Sequence, residues 1–210
     1  EKWGFLLCRL VESGTVYSLE EIQAIAAVAH SHGLSMHMDG ARFANALVTL
    51  DVTPAQMTWQ AGIDVLSFGG TKNGCLAAEA VVFFRPELVG DFPFLQKRAG
   101  QLLSKSRFIS SQFAGYLKDG TWLRNARQAN AMAQRLSKGL AALPGIELAY
   151  PTQSNEVFVS MPAVLIERLS AQGLSVNDEE LDGKAVRFVA AWNTPESQVD
   201  DLLKVLADHC

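Results

Sequence analysis

Apolar residues recur at helical spacing through Ile22, Ile25, Ala26 and Ala29, directly after Ser18-Leu-Glu-Glu21. The serine hydroxyl can accept from the Glu21 N–H while the Glu21 carboxylate reaches back to the Ser18 N–H, so a capped helix is predicted to about His32. Gly33 is placed to end it in the left-handed conformation. The pattern then shifts to a short apolar run over residues 34–38, a strand that delivers Asp39 at its carboxyl end; Gly40 and Ala41 turn the chain and Arg42 begins another helix. A second capping box, Thr53-Pro-Ala-Gln56, has Pro at the first helical position, where its missing N–H costs nothing, and Gly62 stops that helix. Residues 64–68 and 77–84 read as further strands, separated by the turn Gly-Thr-Lys-Asn-Gly.

Helices alternating with short apolar strands argue for an α/β sheet with buried, at least partly parallel strands. Ligands of such sheets sit beyond the carboxyl ends of the strands, and Asp39 and Lys72 both fall just past such ends. Residues 87–143 are helical in character, with interruptions expected near Gly115 and Gly120, until Pro144-Gly145 breaks the pattern. Short strands at 146–150, 156–161 and 185–191, with helices at 162–172 and 195–209, then make a compact α+β unit. The boundary is placed within the helical connector, giving a large domain over residues 1–125 and a small one over 126–210.

At 210 residues, 49% hydrophobic and 19% charged, the composition is that of a soluble globular protein able to bury a real core. A formal charge of -4 with interspersed signs gives no broad positive field, which argues against nucleic acid or a membrane surface as the main partner and in favour of a small molecule. Cys8, Cys75 and Cys210 are far apart and lack a C-x-x-C pair, so no disulfide framework or thiolate zinc site is expected, and a reduced, cytoplasmic setting is. The opening apolar run is broken by Arg9 and is too short to span a bilayer; the chain also begins without Met, which reads as a fragment or boundary.

Several chemistries can be set aside. Gly69-Gly70-Thr71-Lys72 lacks the earlier glycine of a phosphate-cradling Walker loop, and Ser67 lies in no G-x-S-x-G elbow. The four histidines show no metal-ligand spacing, so no metal is expected; His30 and His32 sit where a cation meets a helix carboxyl end favourably. Cys75 reads as a small packed residue rather than a reactive thiol.

Asp39, Arg42 and Lys72 remain. Singly, they read as a helix cap, a surface charge and a solvated lysine, although glycines around Lys72 allow close approach of a ligand to the backbone. Together they match the needs of pyridoxal 5'-phosphate: an amine to bond it covalently, a carboxylate to keep its ring nitrogen protonated, and a guanidinium to hydrogen-bond its phenolic oxygen.

The segments Leu34-Ser-Met-His-Met-Asp-Gly-Ala-Arg-Phe-Ala-Asn-Ala46 and Asp64-Val-Leu-Ser-Phe-Gly-Gly-Thr-Lys-Asn-Gly74, with Ser13-Gly-Thr-Val-Tyr-Ser18 and Ala99-Gly-Gln-Leu-Leu-Ser-Lys-Ser-Arg-Phe108, closely resemble the low-specificity L-threonine aldolases, fold-type-I pyridoxal phosphate enzymes of the β-eliminating lyase group. The resemblance implies the carboxy-terminal part of the fold-type-I large domain, a mainly parallel α/β sheet, followed by a small α+β domain. It implies Lys72 as the lysine that carries the cofactor, Asp39 facing the pyridine nitrogen, Arg42 on the hydroxyl side, and Arg187 holding the substrate α-carboxylate. The implied reaction is retro-aldol cleavage of L-threonine or L-allo-threonine to glycine and acetaldehyde by a homodimer or homotetramer.

The family's Ser/Gly-rich phosphate-binding turn and cofactor-stacking histidine precede the matched segments and are absent from this sequence, and residues 1–12 depart from the family pattern. The chain is therefore expected to lack an amino-terminal portion. β-Elimination or another activity of the fold, or a non-catalytic role for a truncated chain, stand as the alternatives.

Overall fold

A computed structural model of the chain describes residues 13–171 and 185–208 together with the backbone of residues 5–8. The departures expected over residues 1–12 lie outside the described residues apart from that short backbone, as do Gln172, His209 and Cys210. The chain divides into two compact units, one built from the first strand and residues 17–123, the other from residues 13–16, 124–171 and 185–208.

The first unit holds a sheet of β1 (Phe5–Cys8), β2 (Met36–Gly40), β3 (Val65–Gly69) and β4 (Glu79–Phe83) in the order β1-β2-β3-β4. The first three strands run parallel and β4 antiparallel to β3. Around the sheet run α1 (Leu19–Ser31), α2 (Phe43–Leu50), α3 (Pro54–Met57), α4 (Phe92–Arg98) and α5 (Arg107–Leu117). Both capping boxes form: Ser18 caps α1 with Glu21 bonding back, and Thr53 caps α3 with Gln56. Gly33 takes a positive φ of 68° where α1 ends, whereas the helix capped by Thr53 stops at Met57, earlier than expected, and Gly62, at φ 92°, closes a separate 3-10 turn over Trp59–Ala61.

Burial alternates along β2: Met36, Met38 and Gly40 are buried, while His37 and Asp39 are half-buried. Met36 and Met38, with Leu66 registered beside Met38, are buried on one face of the sheet, whereas His37, Asp39 and Ser67 on the other face are half-buried. The strand also ends later than expected, at Gly40, because pairing with β3 continues through Asp39↔Ser67 and Gly40↔Phe68. Asp39 thus lies inside β2 near its carboxyl end.

Asp64 ties the opposite end of this sheet together. It is 4% exposed; its Oδ2 accepts the Met36 N–H at 2.7 Å and bonds His30 Nε2 at 2.9 Å, and its Oδ1 lies 3.4 Å from Arg85 Nη1. Burial works against its charge, yet the Met36 N–H, His30 and Arg85 together hold its carboxyl below the usual range. His30, expected as a helix-end or surface group, instead links α1 to this carboxylate.

The helical connector breaks over residues 99–106, with Gly100 at φ 72°, and not at Gly115, which lies inside α5 with open space beside it. The interruption expected near Gly120 is a 3-10 turn over Lys118–Gly120, and α6 (Thr121–Leu140) follows.

The second unit packs α6, α7 (Ala163–Ala171) and α8 (Glu196–Ala207) on an antiparallel sheet of β5 (Glu147–Leu148), β6 (Glu156–Ser160) and β7 (Val186–Val189). Ala133, Leu136 and Leu140 of α6 meet Val157, Val159, Leu169, Val186 and Leu206 in one core. Gly139 has no Cβ where Leu203 crosses, so α6 and α8 approach closely.

Candidate active site

The half-buried face of the first unit's sheet carries a polar row. Successive side chains of a strand alternate between faces and registered neighbours share one, so His37, Asp39 and Ser67 lie together. His37 Nε2 and Ser67 Oγ are hydrogen-bonded at 2.8 Å. Burial lowers the His37 pKa against the opposing pull of the Asp39 charge, which favours a neutral imidazole.

Two glycines then bring the chain segments past the strand ends into contact. A Cβ on Gly40 would lie 2.6 Å from the Ser67 carbonyl oxygen, and one on Gly69 would lie 3.0 Å from Ala41 Cα and 3.1 Å from its oxygen. Only glycine permits that approach. The turn after β2, with Ala41 and Arg42, and the turn after β3, with Lys72, therefore pack side by side at the carboxyl ends of adjacent parallel strands, where α/β sheets bind ligands.

Within the first turn the Asp39 Oδ1 accepts the Ala41 N–H at 2.9 Å; its Oδ2 takes no hydrogen bond among the described residues. Asp39 does not cap the next helix: α2 begins at Phe43 after Arg42 and has no side-chain cap. One carboxylate oxygen is thus fixed by the backbone while the other remains available to a cationic donor such as a protonated ring nitrogen. Arg42 is half-buried at the base of α2.

Lys72 lies in a 3-10 turn, Thr71–Asn73, and is exposed. The turn is well braced. Gly70 N–H bonds the Ala78 carbonyl at 2.8 Å, the Asn73 and Cys75 N–H groups both bond the Gly70 carbonyl at 3.1 Å, and Gly74 closes it at φ 117°. Thr71 Oγ1 accepts the Ala78 N–H at 3.1 Å. Cys75 packs its sulfur where a Cβ of Gly70 would be 2.9 Å away, and its thiol pKa is raised by burial and by the Glu79 charge, consistent with a packed residue.

Asn73, next to Lys72, is 3% exposed and donates from Nδ2 to Tyr116 Oη at 2.7 Å and to the Trp122 carbonyl at 2.8 Å. Around it Phe68 meets Phe113, Tyr116 and Trp122 at ring separations of 5.6, 6.1 and 5.9 Å, and Trp122 stacks on Phe43. Burial pushes the Tyr116 phenol up to about 12, so its hydroxyl stays neutral. Neither Asn73 nor the His37–Ser67 pair emerged from the sequence reading. A polar residue between Lys72 and Gly74 was the available signal for the former; for the latter the strand register was needed.

Arg187 belongs to the second unit. It lies on β7 opposite Phe158, 23% exposed, with Nη1 3.5 Å from Oε1 of the buried Glu156. Asp39, Arg42 and Lys72 thus all belong to the first unit, at or just past the carboxyl ends of adjacent strands, and Arg187 belongs to the other, beside an acidic neighbour.

A model of the beta-eliminating lyase family matches residues 9–163. The chain is 46% identical over 196 residues to the low specificity L-threonine aldolase of a Pseudomonas species, covering 93% of this chain and 56% of that protein. It is 43% identical over 198 residues to the low specificity L-threonine aldolase of Pseudomonas aeruginosa, with 94% and 57% covered. Among solved structures, threonine aldolase of Leishmania major superposes with a TM-score of 0.87 at 28% identity, over 97% of this chain and 60% of that one. The chain thus spans a little over half the length of the curated relatives it matches.

Proposed function

The chain belongs to the beta-eliminating lyase family, and from that premise we propose that it forms the catalytic part of a pyridoxal 5'-phosphate-dependent aldolase that cleaves L-threonine or L-allo-threonine to glycine and acetaldehyde. The observation that carries the reading is the packing of the Asp39–Arg42 turn against the Lys72 turn through Gly69 and Ala41. The named functions of the relatives supply the substrate class.

The residues present fit the cofactor. Lys72 offers an exposed amine on a braced turn, Asp39 keeps one carboxylate oxygen open to a ring N–H, and Arg42 stands three residues on. When bound, pyridoxal phosphate supplies an electron sink for the pair released from the broken Cα–Cβ bond. In our proposal Lys72 holds the cofactor covalently, Asp39 keeps the ring nitrogen protonated, and Arg42 hydrogen-bonds the phenolic oxygen. Arg187 binds the substrate α-carboxylate, a task suited to a planar guanidinium, and thereby fixes which bond at Cα stands ready to break.

We assign the large domain, residues 1–125, to the cofactor and the small domain, 126–210, to the carboxylate. Self-association into a dimer or tetramer is part of the proposal, supported by exposed Leu76, Phe94 and Phe108, at 88%, 73% and 59%. A cytoplasmic setting is proposed from the scattered, unpaired pattern of cysteines in the sequence. No helix of the described residues is long and apolar enough to cross a membrane.

The test is product analysis with cofactor present. L-Threonine and L-allo-threonine should yield acetaldehyde and glycine in equal amounts, and Lys72→Ala should abolish both. Ammonia and a keto acid from β-substituted amino acids, with no acetaldehyde from threonine, would overturn the aldolase assignment in favour of β-elimination.

A further inference from the structure

We propose that Asn73 is a positioning residue for Lys72: its buried side-chain amide clamps the lysine turn to the Tyr116 hydroxyl and the Trp122 carbonyl. The proposal deepens the reading of Lys72 as the cofactor lysine and rests on it for its functional meaning, although the clamp itself is a property of the chain alone.

The bonds to Ala78 brace the turn against the segment entering β4, and the Asn73 amide ties it to the helices. Lys72 is exposed, so its own side chain gives the turn little burial, and Gly69, Gly70 and Gly74 surround it with backbone of high conformational freedom. A turn of this kind would sample many geometries without tertiary contacts. Asn73 is its one buried member among Thr71–Gly74, at 3% exposure. A buried amide is retained only where its hydrogen bonds are made, and the two N–H groups of Asn73 find two acceptors, at 2.7 and 2.8 Å.

The acceptors are themselves held by packing. Tyr116 is 4% exposed on α5, and the Trp122 carbonyl belongs to the first turn of α6. Tyr116 and Trp122 also pack on each other and on Phe68, the β3 residue that precedes the glycine pair. The strand leading into the turn and the helices receiving Asn73 thus share one aromatic cluster. The glycines let the turn approach Ala41, and Asn73 holds it there. A bonded amine must meet the cofactor within a few tenths of an ångström, which makes loss of the clamp a loss of function without loss of fold.

The experiment is site-resolved amide hydrogen exchange on the full chain, wild type against Asn73→Ala, Asn73→Asp and Tyr116→Phe. Gly70 and Cys75 report the turn, since their N–H groups bond the Ala78 and Gly70 carbonyls. With two hydrogen bonds removed, Asn73→Ala should speed exchange at Gly70 and Cys75 roughly tenfold or more while the amides of α1 keep wild-type protection. Asn73→Asp keeps the shape and can still accept the Tyr116 O–H, but it sets a carboxylate oxygen against the Trp122 carbonyl and should also speed exchange at the turn. Tyr116→Phe leaves the Trp122 bond and should give a smaller rise confined to the turn.

Unchanged exchange at the turn, or a rise shared equally by α1, would overturn the clamp and leave Asn73 as an ordinary core residue. If Asn73→Ala and Asn73→Asp do not fold, Tyr116→Phe decides by the same two readouts. Borohydride capture of pyridoxal phosphate at Lys72 should also slow in the Asn73 variants. Failure of the wild-type chain to capture the cofactor would sink the assignment of Lys72, while the exchange data would still decide the clamp.

Discussion

Gly69→Ala isolates the contact on which the site depends. Gly69 is not in the positive-φ region, so alanine is allowed by the backbone, and only the space for the methyl group is at issue. That methyl would lie 2.9 Å from Glu79 Oε2, 3.0 Å from Ala41 Cα and 3.1 Å from Ala41 O. The glutamate is exposed and can swing away. Ala41 cannot yield as easily, because its N–H is bonded to Asp39 and its carbonyl lies in the turn entering α2. Overpacking against fixed atoms costs about 1–3 kcal/mol, here taken either as lost stability or as separation of the two turns.

Gly115→Ala is the matched control: it lies inside α5 at negative φ with nothing within 4 Å, so the same change should stabilise by about 0.5–1 kcal/mol. Denaturant midpoints for both variants, with pyridoxal phosphate capture measured alongside, check the pair. Gly69→Ala should be destabilised or capture-deficient, and Gly115→Ala should be neither. A Gly69→Ala chain with wild-type midpoint and capture would refute the claim that close packing of the turns builds the site.

Asp64→Asn should cost about 2 kcal/mol at neutral pH, chiefly through the Met36 N–H bond to a charged acceptor, since His30 and Arg85 are partly exposed and screened. Because the Asp64 pKa is depressed in the folded chain, its contribution is present above the unfolded value of about 3.9 and lost as pH falls through the folded value. The stability gap between wild type and Asp64→Asn, followed by denaturation across pH 7 to 3, should therefore close on the acid side; a constant gap would contradict the charge argument. Asp39→Asn should retain cofactor capture yet lower threonine turnover by roughly a hundredfold or more, because the ring nitrogen loses its anionic partner. Arg187→Ala should leave capture at Lys72 intact and chiefly raise the KM for the amino acid, read from steady-state kinetics.

The local rules were legible wherever a short segment decides its own conformation. Capping at Ser18 and Thr53 and positive φ at Gly33 and Gly62 follow from hydroxyls, carboxylates and a missing Cβ acting over three or four residues. Strand limits were not, because β2 extends to Gly40 through pairing with β3, which is distant in sequence. The connector break lies at residues 99–106 and not at Gly115 for a related reason: one glycine costs a helix only about 0.5–1 kcal/mol, and Phe113 and Tyr116 of the same helix pack on Phe68, which is distant in sequence. Of the candidate site, residue types and order could be read directly, whereas the partners that brace them, Asn73 with Tyr116 and His37 with Ser67, are joined only by the fold. The role of His30 was hidden likewise, since Asp64 lies 34 residues away in sequence.

The most direct test of the central claim is chemical. The chain is incubated with pyridoxal phosphate, reduced with borohydride, digested, and the labelled peptides are mapped by mass spectrometry. The account predicts saturable label concentrated at Lys72 and lost in Lys72→Ala. Label spread evenly over exposed lysines, unchanged when Lys72 is replaced, would contradict it.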